Sequence, residues 1–340
     1  MPTDAPAWPG DRGGHVWPKD REVLAPDGAR IRYTVLGPDD GEWLVLCAGF
    51  MCPDNFWEYL APPLLDRYRV AVLNYRGVGA STDPRPPGWL GRGVRAEDYT
   101  IERFAGDVGA VMEAEDVTDA TVLGHSMGVQ VALETWRQQR DLAAEDGRPS
   151  RVAAIVCVTG PYRSPLRDFY GTDIGAYLFP FAYLGLPLLP RPVQKLIPDL
   201  MRLPIAMPVA RLIRALGPHT PAEGMTLYFR HFTQVDPLVA MQIARGMHEF
   251  DASPWLHEVD VPTLVLVGSA DTWTPPEAGT TMLLRIDVAE LVELVGGTHG
   301  ALIEFPDDIH DVVSDFLHRH LGHARGPALG DGAVVERRSA

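Results

Sequence analysis

The chain has 340 residues, of which 46% are hydrophobic and 22% charged, and 30 Lys and Arg stand against 45 Asp and Glu for a net charge of −15. These values exclude a disordered chain and allow one large α/β domain with an insertion, or two modest domains. The acidic balance repels phosphate backbones and anionic lipid at long range, so neither a nucleic-acid partner nor stable membrane association is expected; it leaves the local field of a cleft open.

Residues 1–20 read as a flexible arm, with four prolines and no apolar segment of the kind a signal peptide needs. Trp8 and Trp17 are its candidate anchors on the body. From residue 21 the pattern is strand-like, and the turn at Pro26-Asp27-Gly28 suits an antiparallel hairpin. Trp43–Cys47, Arg69–Leu73 and Thr121–Leu123 are nearly continuous apolar runs, each ending in a glycine-bearing loop. Such runs predict strands buried on both faces of a parallel sheet. Between them Ile101, Phe104, Ala105, Val108, Val111 and Met112 keep helical spacing, with Thr100 as the N-cap candidate. A helix is also expected from Met127 to about Gln139. Arg151–Val158, Thr263–Val267 and Leu291–Val295 predict further strands, and Ile309 to Leu321 one face of a closing helix.

Alternating strands and helices imply a mostly parallel, doubly wound α/β sheet. Residues 161–255 break that rhythm with many prolines and no clear strand, and read as a helical lid inserted between two sheet strands. The core is then 21–160 with 256–322, and 323–340 reads as a flexible tail. The longest uncharged apolar run, Ile174 to Pro190, has 17 residues and is interrupted by Pro180 and Pro187, too short and broken to span a bilayer. Cys47, Cys52 and Cys157 are an odd set without metal-ligand spacing, so free thiols in a reducing compartment, the cytoplasm, are expected. With no metal cluster, complete dinucleotide fingerprint or phosphate loop, no metal or cofactor is expected.

The chemistry concentrates in three loops. Gly124-His125-Ser126-Met127-Gly128 follows a predicted strand and opens a predicted helix. In that setting the G-x-S-x-G pattern presents a serine on a turn too tight for bulky neighbours, making Ser126 the candidate nucleophile. A serine hydroxyl needs a base. Of the 11 histidines, His299 in Gly296-Gly-Thr-His-Gly300 lies in a glycine-rich loop after the last strand, from which it can reach across the sheet. Asp271, after the strand at 263–267, is the candidate that orients the imidazole. The order Ser126, Asp271, His299 is that of a Ser…Asp…His hydrolase. The backbone N–H groups of Met127 and Phe50 are the candidate oxyanion donors, with Met51 next in line. His125 flanks the nucleophile.

These motifs resemble the α/β-hydrolase superfamily, in its branch of lid-bearing esterases, lipases and thioesterases, over roughly residues 21–322. Asn74-Tyr-Arg-Gly-Val-Gly-Ala-Ser81 is similar to that family's Asp-x-Arg-Gly-x-Gly-x-Ser loop. Two positions depart: Ala48-Gly49 stands where the family usually has His-Gly, and Asn74 where it has Asp. Relatives that open epoxides or remove halides carry a carboxylate at the serine position, which disfavours those activities here. The resemblance implies hydrolysis of a carboxylic ester, thioester or lactone of a small apolar molecule through an acyl-enzyme. Cleavage of an amide or C–C bond, or a non-catalytic ligand-binding role, are the alternatives. The aromatic-rich lid opening offers Tyr177 and Phe181, with Met51 and His125, as candidate substrate contacts; Asp168, Asp173 and Asp199 offer an alternative site for a substrate amine. The oligomeric state is not legible.

Overall fold

The computed structural model describes residues 17–52, 54–82, 94–214, 216–218, 220–321 and 334–337. Its sheet comprises β1 (Arg21–Leu24), β2 (Arg30–Leu36), β3 (Glu42–Cys47), β4 (Tyr68–Leu73), β5 (Ala120–His125), β6 (Val152–Val158), β7 (Thr263–Gly268), β8 (Ala289–Leu294) and β9 (Val334–Arg337), ordered β1-β2-β4-β3-β5-β6-β7-β8-β9. β1 and β2 form the expected hairpin, and β2 pairs antiparallel with β4. From β4 onward every pairing is parallel. This is the α/β-hydrolase fold.

The near-continuous apolar runs are explained by two cores, one on each face. Val45, Cys47, Val122, Ile155 and Val265 belong to one buried cluster; Leu44, Leu46, Leu123, Val156 and Leu264 belong to the other. Successive strand residues point to opposite faces, so a sheet covered on both sides needs apolar residues at every position. The first face is covered by α1 (Ile101–Ala114) and α2 (Met127–Asp146), the second by the closing helix at Pro306–Leu321. Thr100 caps α1 as its sequence suggests, its side chain accepting from the Arg103 N–H at 3.3 Å. α2 runs seven residues beyond Gln139 and stops at Gly147, whose φ of 65° is the left-handed cap conformation.

Between β6 and β7 lie α3 (Ile174–Gly185), α4 (Arg191–Gln194), α5 (Leu196–Leu200), α6 (Ala206–Leu212), α7 (Ala222–Phe232) and α8 (Pro237–Glu249). Apart from a bridge between Arg163 and Asp251, this insert contributes no extended pairing among the described residues. It is not one uniform layer. Val239, Ile243 and Met247 of α8 belong to the same core cluster as α1, whereas no residue of α3 is buried. After β7 come α9 (Pro276–Arg285), α10 (Ala301–Glu304) and α11 (Pro306–Leu321).

Both ends of the described chain pack on the body. Trp17, one of the two candidate anchors of the arm, is 1% exposed and packs in the second core cluster, where burying its large apolar ring outweighs the conformational freedom lost by the chain around it; residues 1–16, Trp8 included, lie outside the described residues. The tail from 323 is not featureless. Val334–Arg337 pairs parallel to β8 as β9, two adjacent β-branched valines taking up hydrogen bonds at an otherwise open sheet edge; 322–333 and 338–340 lie outside the described residues.

Candidate active site

Ser126 sits at the junction of β5 and α2 with φ 55° and ψ −122°, a backbone conformation costing a non-glycine residue roughly 1–3 kcal/mol. Its N–H donates to Val158 O at 3.0 Å, which pins the turn to the neighbouring strand. The glycines around it are dictated by contact. A Cβ at Gly124 would lie 2.2 Å from Gly128 O, one at Gly128 would lie 1.8 Å from Cys47 O, and one at Gly160 would lie 2.5 Å from Ser126 O. The strain holds the serine clear of both elements that carry it.

His299, in the loop after β8, places Nε2 2.9 Å from Ser126 Oγ and Nδ1 3.0 Å from Asp271 Oδ2. With a carboxylate at Nδ1, the ring proton belongs there, and Nε2 is left to accept from the serine. The imidazole stacks on Trp273, ring centroids 5.3 Å apart. Its carbonyl lies 3.3 Å from His125 Nε2 and accepts from Thr159 Oγ1 at 3.4 Å. Asp271 is buried, and its carboxylate is fully engaged. Oδ1 accepts the N–H groups of Trp273 and Thr274 at 2.8 and 2.9 Å, and Oδ2 accepts the Thr274 hydroxyl at 2.6 Å as well as His299. Burial alone would raise this carboxyl, but the neighbouring imidazole and the Thr274 donors outweigh it and hold the pKa below the usual carboxylate value. The three residues singled out in the sequence are therefore one hydrogen-bonded chain.

A second carboxylate braces the same loop from the other side. Glu304 Oε2 accepts the Thr298 N–H at 2.9 Å, while Oε1 accepts the Thr298 hydroxyl at 2.7 Å and, from the insert, the Gly217 N–H at 2.8 Å and the Thr220 hydroxyl at 2.5 Å. Its significance was not legible in the sequence, because Gly217 and Thr220 are far from it along the chain. Thr274 stands three residues after Asp271, and that spacing is the local sequence signal of this side-chain-to-backbone turn.

The loop after β3 closes on the serine, a Cβ at Gly49 lying 3.1 Å from Ser126 Cβ. Met127 is the first residue of α2, whose opening N–H groups have no partner within the helix. Phe50 lines the cavity above the serine. Met51 does not. At φ 53° the turn sends its side chain into the core, where it is buried. At the two family departures, the Tyr75 hydroxyl donates to Ala48 O at 3.3 Å, and Asn74 Oδ1 accepts the Ala80 N–H at 3.1 Å. In the same loop Arg76 is buried between Asp107 and Asp27, its Nη2 reaching Asp107 Oδ1 at 2.5 Å.

The cavity measures about 370 Å³ and has Ser126, His125 and His299 among its walls. The rest is almost wholly apolar, including Phe56, Phe169, Phe179, Met225 and Trp273, and among the described residues no Asp, Glu, Lys or Arg lines it. Tyr177 and Phe181 are not part of it: they are 69% and 76% exposed. α3 is helical through Pro180, so these two share a face while Phe179 takes the other, packing on His248 with centroids 5.2 Å apart. Asp168, Asp173 and Asp199 also stay outside the cavity, Asp168 pairing with Arg163 at 3.0 Å. His125 is buried against Phe56, and burial together with His299 pushes its pKa down to about 3. Cys52 lines the cavity, but burial raises its thiol to about 12, which keeps it protonated beside the serine. Among the described residues there is no metal-binding cluster and no helix long and apolar enough to cross a membrane.

A probable oxidoreductase of Mycobacterium tuberculosis, EphD, is 33% identical to the chain over 153 residues, which are 44% of this chain and 23% of that protein. The chain thus spans under a quarter of that relative's length. Among solved structures, a hydrolase from Pseudomonas aeruginosa is similar with a TM-score of 0.65 at 23% identity, over 87% of this chain and 97% of that one. An enol-lactonase from Burkholderia xenovorans is similar with a TM-score of 0.63 at 22% identity, over 87% and 99%. At these identities the structural likeness speaks for the fold. The family model described as alpha/beta hydrolase fold matches residues 42–306, well over half of the sequence. The chain belongs to the α/β-hydrolase fold family.

Proposed function

We propose that the protein is a serine hydrolase that cleaves a carboxylic ester, thioester or lactone of a small, apolar, uncharged substrate through an acyl-enzyme. The observation that carries this reading is the 2.9 Å approach of Ser126 Oγ to His299 Nε2 at the wall of an apolar cavity. Ser126 Oγ attacks the carbonyl carbon as His299 takes its proton, and Asp271 stabilises the resulting imidazolium. In this reading the carbonyl oxygen becomes an oxyanion that accepts from the N–H groups of Met127 and Phe50. Collapse expels the alcohol, thiol or lactone hydroxyl, which takes its proton from His299. Water, deprotonated by the same imidazole, then releases the acid. The apolar lining, without Asp, Glu, Lys or Arg among the described residues, supports an uncharged substrate, and the fold-level likeness to an enol-lactonase supports including cyclic esters.

Labelling with a fluorophosphonate, followed by turnover of p-nitrophenyl esters, tests the reading. Wild type is expected to label and turn over, while Ser126→Ala does neither, its rate lower by roughly a millionfold. Labelling without turnover of any ester, thioester or lactone would favour amide or C–C bond cleavage. No labelling of the wild type would favour a ligand-binding protein.

A further inference from the structure

The outer face of the insert is apolar where a water-facing helix is ordinarily polar. α3 directs Phe179 into the cavity, yet Leu184 on the same helix is 68% exposed, as are Leu188 and Leu212 beyond it at 84% and 81%. Among the described residues 21 large hydrophobic side chains are exposed, and 16 of them fall between residues 170 and 213. A helix apolar on both sides is normally covered on both. Exposed apolar residues concentrated in this way mark a docking surface rather than ordinary scatter.

The charge of the same segment identifies what it docks on. Residues 161–220 hold seven Lys and Arg against three Asp and no Glu, a local balance of +4, while the rest of the chain holds 23 basic against 42 acidic residues, a balance of −19. Lys195, Arg211 and Arg214 are exposed and make no ion pair among the described residues. The total of −15 therefore conceals a basic, apolar face on an otherwise acidic protein. An apolar face bordered by Lys and Arg is the pattern of an interfacial lipid contact. A second copy would set one basic face against another.

We propose that the outer face of α3 to α6 docks the protein on an anionic lipid bilayer. The apolar side chains enter the interface, the basic residues meet lipid headgroups, and the acidic remainder is turned away from the surface. Ile213 belongs to both regions, lining the cavity and standing half-exposed on the docking face. Docking therefore sets a rim of the cavity against lipid. The reversal relative to net charge follows from distance, because headgroups within a Debye length respond to the nearby insert more than to the whole.

The test is sedimentation of the full chain with large vesicles of phosphatidylcholine alone, or of phosphatidylcholine mixed with phosphatidylglycerol. Binding to the mixed vesicles is expected, at least about tenfold tighter than to phosphatidylcholine, and weakened by salt. Leu188→Glu with Leu212→Glu should reduce it by at least about tenfold, with turnover of a soluble short-chain ester unchanged and circular dichroism confirming the fold. Lys195→Glu with Arg214→Glu provides an independent variant that should lower binding to the mixed vesicles only. No binding to mixed vesicles would overturn the proposal, as would equal, salt-insensitive binding to both. A solution dimer that dissociates in the leucine variant, without vesicle binding, would overturn it in favour of a second copy. The vesicle readout is independent of the chemistry proposed for Ser126.

Discussion

Replacing Asp271 by Asn separates the orienting role of this residue from simple occupancy of its site. In the amide, one carboxylate oxygen becomes an NH₂ group. It cannot take the Oδ1 position, because it would oppose the N–H groups of Trp273 and Thr274, both now donating to that oxygen. It must take the Oδ2 position. There Thr274 adapts, since its hydroxyl already has Thr159 O within 2.9 Å as an alternative acceptor. His299 Nδ1 has no such freedom: facing a donor, it must become an acceptor, and the ring proton moves to Nε2, against Ser126 Oγ. The imidazole then cannot take the serine's proton, and the charge that would stabilise the imidazolium is gone. The expected fall in kcat is about ten thousandfold, or about 5 kcal/mol at roughly 1.4 kcal/mol per decade. KM should change little, because Asp271 does not line the cavity. Steady-state hydrolysis of p-nitrophenyl butyrate at about pH 8 reads both constants, with thermal unfolding as the control for folding. A variant retaining more than about a tenth of wild-type kcat would refute the tautomer argument.

Further outcomes follow from other parts of the structure. Phe179→Ala should alter chain-length preference over acetyl to hexanoyl esters, where each buried methylene contributes up to about 0.8 kcal/mol, whereas Tyr177→Ala and Phe181→Ala should leave it unchanged; the kcat/KM series on each variant decides. His125, held at about 3, binds a proton more readily in the unfolded chain, where an imidazole titrates near 6.5. Its contribution to stability is therefore complete above about pH 6.5 and is lost as pH falls toward 3, with a slope of at most about 1.4 kcal/mol per pH unit. Urea midpoints measured between about pH 7 and 4.5 should show a shallower decline in His125→Phe. Arg76→Ala leaves the Asp107 carboxylate buried without its partner and should cost about 3–5 kcal/mol in urea unfolding; a change below about 1 kcal/mol would show that the pair contributes little.

The parts of the site legible in the sequence are those fixed by local contact. Gly124 and Gly128 report a turn in which backbone comes within van der Waals range of backbone, and no other residue fits. Thr100 reports a helix start, and the apolar runs report burial on both faces. The cavity wall is a different matter. Helical periodicity separates Tyr177 and Phe181 from Phe179, but α3 is apolar on both sides, so its composition does not say which side turns inward. That is decided by packing against His248 and by the Tyr183 hydroxyl donating to Gln242 at 3.0 Å, contacts across some 60–70 residues of chain. Glu304 is hidden for the same reason, its partners Gly217 and Thr220 lying more than 80 residues away.

Glu304 has a consequence for how the molecule moves. One carboxylate holds the N–H preceding His299 and, through its other oxygen, the insert at Gly217 and Thr220. The insert and the histidine loop are therefore thermodynamically linked through a single group. Any state of the insert that draws Gly217 away from the carboxylate changes the free energy of the loop that aligns the imidazole. Linkage is reciprocal, so a change in that loop alters the stability of the insert by the same amount. The placing of the insert at Gly217 and Thr220 and that of the loop bearing His299 are, at this point, one conformational equilibrium rather than two.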